Sequence, residues 1–219
     1  KYGQRLREIC DEYGVLLIMD EVINGFGRTG KMFATEHFGM QPDLMTMAKG
    51  ITSGYAPLAA VAVSDKVFEI FTEKKDVALG HLLTFGGQAV AAAASLKNIE
   101  IIQREGLVQQ SAEKGAYLLE QLNKLRSHPT VGDVRGLGLM CGIEVVKNKE
   151  TKAKWGRGSE FLKRLDQRIH EKGMVTRVWD IVHFAPPLVV TYEEIDRMVQ
   201  IVDEALTEVE NEFASEIGS

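Results

Sequence analysis

The sequence lacks most of the features that mark secreted, membrane-spanning and nucleic-acid-binding proteins. Its 219 residues contain only two cysteines, Cys10 and Cys141. Both lie in largely apolar surroundings, which favours buried thiols over a disulfide and indicates a reducing, cytoplasmic location. No run of about 18 apolar residues is present, so the sequence predicts no membrane-spanning helix and no membrane partner. The net charge is −5 and the basic residues are scattered, which argues against binding to nucleic acid.

The sequence also has no methionine at its first position and no signal peptide. It begins with KYGQRLREICDEYG, which has the apolar spacing of an amphipathic helix. We therefore expect a fragment or a processed chain. Hydrophobic residues make up 45% of the sequence, which is enough for the core of one large domain or of two small domains.

Two short apolar segments in the first quarter of the chain end in charged residues. Residues 15–19 are followed by Asp20 and Glu21, and residues 43–48 are followed by Lys49. Each segment is too short for an ordinary helix and is almost wholly apolar, which is typical of a strand buried in a parallel sheet. Because ligands of open parallel sheets bind beyond the carboxyl ends of the strands, the sequence predicts a carboxylate pair and an amine at one edge of a sheet.

The remaining periodicity predicts an α/β protein in which helices and short strands follow one another. We expect strands at residues 58–64, 174–177 and 181–184, and either a single kinked strand or a strand pair from residue 131. A loop is expected at 73–83. We expect helices at residues 2–13, 65–71, 107–125 and 159–172, a helix that runs from 84–88 into the alanine-rich segment, and a helix that starts at the capping-box motif at 191–194. Residues 96–110 are the expected connection between two domains.

Three letter patterns near residue 25 match nucleotide-binding motifs without the context that those motifs need. Gly25, Gly27 and Gly30 have the spacing of a dinucleotide-binding turn. Residues 20–24 separate them from the strand, however, and their carboxylates would repel a phosphate. Gly30 and Lys31 match the end of a phosphate-binding loop, but methionine follows where Ser or Thr should hold magnesium. The segment VLLIMDE resembles a Walker B strand, so a nucleoside triphosphatase stays open as an alternative if a phosphate loop lies upstream.

Lys49 is preceded by alanine and followed by glycine and isoleucine, not by polar residues. Such surroundings favour desolvation, which lowers the pKa of a lysine and makes its neutral, nucleophilic amine accessible. Asp20, at the end of the other segment, would then pair with a cationic group on a bound cofactor. Pyridoxal 5'-phosphate (PLP) needs both groups, a lysine for its aldehyde and an acid for its pyridinium nitrogen.

Several segments resemble, in order along the chain, the class III, fold-type I PLP-dependent aminotransferases, and most closely the omega-amino-acid–pyruvate transaminases. The resemblance rests on MDEVINGFGRTGKMFATEHFGMQPDLMTMAKGITSGYAPLAAV, TFGGQAVAAAASL, VRGLGLMCGIE and APPLVVTYEEID. It implies an α/β fold in which residues 1–105 form the C-terminal part of the PLP-binding large domain, with a mostly parallel sheet and helices. Residues 106–219 would form a small C-terminal α+β domain.

The resemblance also implies a role for five residues. Lys49 matches the lysine that binds the PLP aldehyde covalently, and Asp20 matches the carboxylate that keeps the pyridine nitrogen protonated. Val22 matches the aliphatic residue that packs on one face of the ring. Thr84 matches a threonine that reaches the cofactor phosphate of the neighbouring subunit, which implies a homodimer with shared active sites. Arg177 matches a mobile arginine that receives the substrate carboxylate, although its distance from the APPL segment differs by one residue from the family pattern. No metal ligand is implied.

The activity that the resemblance implies is transfer of an amino group from an amine or omega-amino acid to a keto acid such as pyruvate. The same scaffold hosts aminomutases, decarboxylases and racemases, and a truncated, non-catalytic dimerising fragment is a further alternative. Family members are about twice as long, and their N-terminal half supplies a glycine-containing phosphate turn and an aromatic residue that stacks on the other ring face. Gln88 stands where many relatives have histidine.

Overall fold

The computed structural model describes residues 1–73 and 76–218, which form helices and strands of an α/β protein. The helices are α1 (Tyr2–Glu12), α2 (Thr35–Phe38), α3 (Asp65–Glu73), α4 (Ala89–Arg104), α5 (Leu107–Lys124), α6 (Glu160–Glu171) and α7 (Tyr192–Glu212). The strands are β1 (Ile18–Asp20), β2 (Leu44–Met47), β3 (Ala60–Val63), β4 (Val131–Leu137), β5 (Met140–Val145) and β6 (Ile181–Phe184). Lys74 and Lys75, within the loop predicted at 73–83, and Ser219 lie outside the described residues.

The chain divides into two compact units, Lys1–Gln109 and Gln110–Ser219. Residues 96–110, expected to connect two domains, contain the end of α4, a turn at Glu105 and Gly106, and the start of α5. The division between the units therefore falls within α5, three residues after that helix begins.

The first unit contains a three-stranded sheet in the order β1-β2-β3. β1 pairs with β2 in parallel, and Asp20 lies opposite Thr46. β2 and β3 are antiparallel, so the described strands do not form the mostly parallel sheet that the sequence led us to expect. The reason lies in the connection between Met47 and Ala60, which holds one 3-10 turn and no crossover helix, so the chain returns beside β2 in the opposite direction.

Helix α1 is fastened to this sheet mainly by one buried carboxylate. Asp43 accepts hydrogen bonds from the Leu17 backbone N–H at 2.7 Å and from the Arg7 guanidinium at 2.8 Å. The Leu17 bond and then the Arg7 bond lower the pKa of Asp43 below its ordinary value. Cys10, Leu17 and Met40 form a small buried apolar cluster beside these contacts.

The second unit contains the antiparallel sheet β4-β5-β6. Of the two alternatives for the segment from residue 131, the strand pair is confirmed, with a tight turn at Gly138 and Leu139. A Cβ atom at Gly115 of α5 would lie 2.2 Å from the carbonyl carbon of Gly138, so glycine at position 115 allows the helix to approach this turn. The core joins apolar side chains of all three strands with those of α5, α6 and α7.

Most predicted helices are confirmed within two residues, and Thr191 caps α7 as its capping-box motif indicates. Ser159 also caps α6, since its side chain accepts a hydrogen bond from the Leu162 N–H. The strand predicted at residues 174–177 is wrong: this segment does not form a strand, although Met174 is buried and the His183 N–H of β6 donates to the Arg177 carbonyl oxygen at 3.2 Å. One hydrogen bond at the end of an apolar segment does not make a ladder.

Both cysteines are free and buried, as expected. Burial raises the pKa of the Cys141 thiol to about 11, which keeps it protonated and unreactive at neutral pH. Within residues 1–73 and 76–218, no helix has the length and apolar character needed to cross a membrane.

Candidate active site

The carboxyl ends of β1 and β2 lie side by side at one edge of the first sheet. This follows from their parallel pairing, in which Asp20 ends β1 opposite Thr46, three residues before Lys49. The backbone N–H of Glu21 continues the pairing by donating to the Thr46 carbonyl oxygen at 2.9 Å. The structure therefore brings the predicted acid and the predicted amine to the same edge of the sheet.

The Asp20 carboxylate is exposed but held in place through one of its oxygens. Oδ1 accepts hydrogen bonds from the Val22 backbone N–H at 3.0 Å and from the Thr46 hydroxyl at 3.2 Å. Within the described part of the chain, no hydrogen bond reaches Oδ2. One oxygen therefore fixes the orientation of the group, and the other remains available to a ligand.

Lys49 begins a 3-10 turn, Lys49–Ile51, immediately after the extended residue Ala48. Its φ angle is +44°, a left-handed conformation that costs a non-glycine residue on the order of 1–2 kcal/mol. This strained backbone makes a sharp turn directly after the strand. The side chain of Lys49 is exposed, so the desolvation expected from its small neighbours is absent among the described residues. Small neighbours leave room around an amine, but only covering groups remove its water.

Two contacts hold the strained turn from outside. The side-chain amide of Asn98, on α4, donates to the carbonyl oxygens of Gly50 at 2.8 Å and Ile51 at 3.2 Å. Phe26 is buried and lies close to the same turn. A Cβ atom added at Gly50 would lie only 3.1 Å from the Phe26 Cβ. These contacts supply the surrounding structure that a strained residue needs in order to persist.

Glu21 differs from Asp20 although the sequence placed the two acids together as a pair. Glu21 is only 1% exposed, and its carboxylate accepts hydrogen bonds from the backbone N–H groups of Ala34 at 3.0 Å and Thr35 at 2.7 Å. The prediction of a carboxylate pair at the sheet edge is therefore wrong. Glu21 points inward and closes the loop that begins at Val22, since both of its oxygens bind the far end of that loop.

The glycine-rich loop does not have the structure of a nucleotide-binding turn. Gly27 and Gly30 have φ angles of +92° and +84°, and their N–H groups bond to carbonyl oxygens of the loop itself. The following helix, α2, starts only at Thr35 and has four residues. Phe26 and Phe33 pack edge to face inside the loop, with ring centroids 5.4 Å apart. The loop is a packed turn in which the N–H groups of all three glycines are already bonded.

Val22 and Thr84 differ in how firmly the structure holds them. Val22 is half-buried and its backbone N–H binds Asp20. Thr84 is exposed in a turn and does not start α4. That helix begins at Ala89, because the Gln88 side chain accepts the Ala91 N–H at 2.6 Å and so takes the N-cap position. The expectation that residues 84–88 open the helix is wrong.

Arg177 belongs to the second unit and is described there by itself. It is exposed at a cleft of about 850 Å³ whose lining includes Thr176 and the apolar residues Met174 and Val190. Its guanidinium carbon lies 4.7 Å from the centroid of the Trp179 ring. Arg177 therefore occupies a rim with space for a small ligand.

Sequence reasoning missed three residues that support these groups: Glu21 as an anchor, Asn98 and Trp179. Asn98 belongs to no catalytic motif, because it acts on a turn 48 positions away. A usable signal was available for Asn98, since it shares one face of α4 with the buried residues Ala91, Ser95 and Ile102. A polar side chain on a buried helix face requires a hydrogen-bond partner.

Comparison with known proteins identifies the family. The family model described as Aminotransferase class-III matches residues 1–206. The chain is 42% identical over 212 residues to the adenosylmethionine-8-amino-7-oxononanoate aminotransferase of Anoxybacillus flavithermus. This match covers 94% of this chain and 46% of that protein. It is 41% identical over 222 residues to a taurine–pyruvate aminotransferase of Bilophila wadsworthia, with coverage of 97% and 49%.

The fold is similar to a solved structure as well. The omega transaminase from Pseudomonas jessenii in complex with PMP is 38% identical and superposes with a TM-score of 0.92, covering 97% of this chain and 48% of that one. The chain thus spans about half the length of the curated relatives that it matches. Since the family model covers residues 1–206, the chain belongs to the class III aminotransferase family.

Proposed function

We propose that this chain acts in PLP-dependent transamination, the transfer of an amino group from an amine or omega-amino acid to a keto acid such as pyruvate. The observation that carries the proposal is the placement of Asp20 and Lys49 at the ends of two neighbouring parallel strands. The relatives named above are aminotransferases, which favours this activity over an aminomutase, a decarboxylase or a racemase.

The residues at this edge of the sheet fit PLP. The cofactor needs an amine for its aldehyde, and Lys49 presents an exposed one from a turn that Asn98 and Phe26 hold. It needs an acid for its ring nitrogen, and Asp20 has one oxygen fixed and the other available. When bound, PLP supplies the electron-withdrawing ring on which the chemistry depends.

Lys49 has two tasks in this proposal. Its Nζ would hold the cofactor through the aldehyde group. When it is not holding the cofactor, Nζ would accept a proton from the substrate Cα and later return one, acting first as base and then as acid. Proton transfer by a positioned base of this kind typically contributes 10²–10⁴-fold to the rate.

Asp20 and Val22 orient the ring. The carboxylate of Asp20 holds a proton on the ring nitrogen, because a negative charge in contact favours the protonated form of its partner. Its hydrogen bonds from Val22 and Thr46 keep the carboxylate from turning away. Val22 follows Asp20 at the start of the loop that Glu21 closes, and we assign its side chain to one ring face.

The remaining assignments extend this proposal to the whole protein. We assign residues 1–105 to the PLP-binding large domain and residues 106–219 to a small C-terminal domain. Thr84 would bind the cofactor phosphate of the neighbouring subunit in a homodimer, and its exposed position supports a contact with another chain. Arg177 would receive a substrate carboxylate. The buried free thiols of Cys10 and Cys141 support a cytoplasmic location.

Covalent labelling tests the proposal directly. Borohydride reduction of the PLP-loaded protein should fix a pyridoxyl group on Lys49, which peptide mapping would locate. Lys49→Ala should abolish amino transfer to pyruvate, whereas Lys31→Ala should retain it, because Lys31 is an exposed lysine of the glycine-rich loop. A label on another lysine, or full activity of Lys49→Ala, would show that the assignment is wrong.

A further inference from the structure

Residues 177–183 of the second unit form a tight hairpin with two distinct faces. The His183 backbone N–H donates to the Arg177 carbonyl oxygen at 3.2 Å, and Val178 pairs with Val182 in an antiparallel bridge. Val178 and Val182 are buried. Because side chains alternate along extended backbone, Arg177 and Trp179 lie on the opposite, exposed face. The hairpin therefore fixes the arginine and the indole as neighbours.

The Trp179 ring attracts two cations. The guanidinium carbon of Arg177 lies over the ring at 4.7 Å from its centroid, and that of Arg157 lies at 4.8 Å. Trp179 is 44% exposed, so water reaches this cluster. The negative face of an indole attracts a cation within about 6 Å, and tryptophan does so most strongly among aromatic residues.

Arg177 has no acidic partner within the described part of the chain. Other arginines of this unit do have one: Arg135 binds Glu144 at 2.7 Å and Arg168 binds Glu171 at 3.0 Å. Asp180, the acid of the hairpin itself, pairs with Lys154 at 3.1 Å. The Trp179 ring therefore holds the Arg177 guanidinium, and the N–H donors of that guanidinium remain available for an anion.

We propose that Trp179 is a positioning residue that holds the Arg177 guanidinium ready to bind a substrate carboxylate. The ring engages the charge through its face, and the guanidinium edges keep the fork of donors that suits a carboxylate. A long side chain that is already ordered loses less conformational freedom when it binds. The cleft beside Arg177 gives a small carboxylate room to approach. This inference rests on the proposed function, because it concerns the substrate of the same reaction.

Kinetics of the PLP-loaded enzyme test the role. Trp179→Ala should raise the KM for pyruvate and for carboxylate-bearing donors by about three- to tenfold, the loss expected when one flexible side chain must be ordered during binding. The value of kcat and the KM for amine donors without a carboxylate should stay within twofold. The KM of Trp179→Phe for pyruvate should lie between those of the wild type and of Trp179→Ala, because phenylalanine binds cations less strongly than tryptophan. Arg157→Ala is the matched control and should stay within twofold, since it removes the other cation from the same ring.

A double substitution separates positioning from general damage. In an Arg177→Ala background, Trp179→Ala should have no further effect on the KM for pyruvate, because the ring has no guanidinium left to hold. An equal rise of KM in both backgrounds would overturn the proposal. So would an equal rise for donors that lack a carboxylate, or an Arg157→Ala effect as large as that of Trp179→Ala.

A measurement that needs no turnover completes the test. The chain has two tryptophans, and Trp155 is buried and stacked on Phe161, so it serves as an internal reference. After labelling with 5-fluorotryptophan, Arg177→Ala should shift the ¹⁹F signal of Trp179 and leave that of Trp155 in place. Titration with pyruvate should shift the Trp179 signal only when Arg177 is present. An unresponsive Trp179 signal would refute the positioning role, whereas a responsive signal in a protein without transaminase activity would refute the proposed function instead.

Discussion

The two units of the chain are stabilised in different ways. The second unit has one continuous core, in which side chains from three helices and three strands bury one another. The first unit carries the candidate catalytic residues. One described apolar cluster there has Cys10, Leu17 and Met40 as buried members, and apolar residues such as Phe26 and Ile102 are buried elsewhere in the unit. Apolar strand residues such as Ile18 and Val61 are exposed there. Among the described residues, the larger buried cluster therefore lies outside the unit that bears the candidate catalytic residues.

Three polar side chains hold separate parts of the first unit together. Asp43 joins α1 to the sheet, Glu21 closes the glycine-rich loop, and Asn98 binds the turn that follows Lys49. Each of these groups satisfies backbone or charged partners far away in sequence. The cost of breaking such a contact is the cost of a lost hydrogen bond, whereas the cost of a core substitution includes a cavity. The contrast can be tested by substitution.

The largest loss of stability should come from the core of the second unit. Phe161 is only 1% exposed and stacks on Trp155 with centroids 4.2 Å apart. Phe161→Ala should lower the free energy of unfolding by about 3–5 kcal/mol, because it removes contacts and leaves a cavity. Phe68→Ala is the matched control in the first unit, where the ring is exposed, and should cost less than about 1 kcal/mol. Equal losses in urea denaturation would break the contrast between the units.

A smaller, local loss should follow from removal of the buried carboxylate of the first unit. Glu21→Gln leaves one acceptor for two N–H groups and removes the charge, so it should cost about 1.5–3 kcal/mol, the range for hydrogen bonds to charged groups. Hydrogen exchange at the Ala34 and Thr35 amides should accelerate, because both bind this carboxylate. Glu36→Gln is the control, because Glu36 is an exposed acid of the neighbouring helix α2 and accepts the Phe33 N–H rather than those of Ala34 and Thr35. Protection that persists at both amides would show that Glu21 is not the anchor.

Glu21 also shows where sequence reasoning reaches its limit. The ends of β1 and β2 could be predicted, and with them the shared edge that holds Asp20 and Lys49, because short apolar segments followed by charges have a local signature. Which of two adjacent acids turns inward depends on N–H groups 13 and 14 residues away. Spacing between neighbours cannot reveal this. Local motifs were reliable at Thr191, where donor and acceptor lie three residues apart.

Neither the start of α4 nor the cation contacts of Trp179 could be predicted from the sequence. Threonine before two glycines is a plausible helix start, but Gln88 lies closer to the apolar segment and supplies an acceptor, so the helix begins later. Trp179 matches no motif, because the hairpin brings Arg177 over its ring and Arg157 comes from a separate loop. Contacts between distant segments need the fold, whereas caps and strand ends do not.

The second unit should also contain a contribution to folding stability that depends on pH. His128 is buried between two acids of α7, with Nδ1 2.7 Å from Glu210 and Nε2 2.8 Å from Asp203. The Glu210 bond raises the pKa of His128, burial lowers it, and the Asp203 bond raises it again; the net direction is upward. A folded-state pKa above the unfolded value means that the stabilisation is complete below about pH 6.5 and is lost as the pH rises through the folded-state pKa.

The matching experiment is denaturation across that pH range. The free energy of unfolding should fall by on the order of 1 kcal/mol as the pH rises above about 6.5, because the charged hydrogen bonds weaken when His128 loses its proton. His128→Gln should remove this dependence and leave a flatter profile. A wild-type profile that matches the variant over the same range would show that the histidine does not remain protonated between the acids.

The smallest effect should come from the apolar face of β1, and it tests the contrast most directly. Ile18 is 59% exposed and lies on the same side of the strand as Asp20, whereas Leu17 and Met19 pack into the small cluster. Ile18→Thr keeps the β-branched shape and should change the free energy of unfolding by less than about 0.5 kcal/mol, as surface substitutions do. Val182→Thr is the matched substitution in the second unit. Because Val182 is 0% exposed, its new hydroxyl would be buried, at a cost of about 1–3 kcal/mol. If Ile18→Thr costs as much as Val182→Thr, then β1 is covered in the protein as purified, and packing supports the catalytic edge as it supports the second unit.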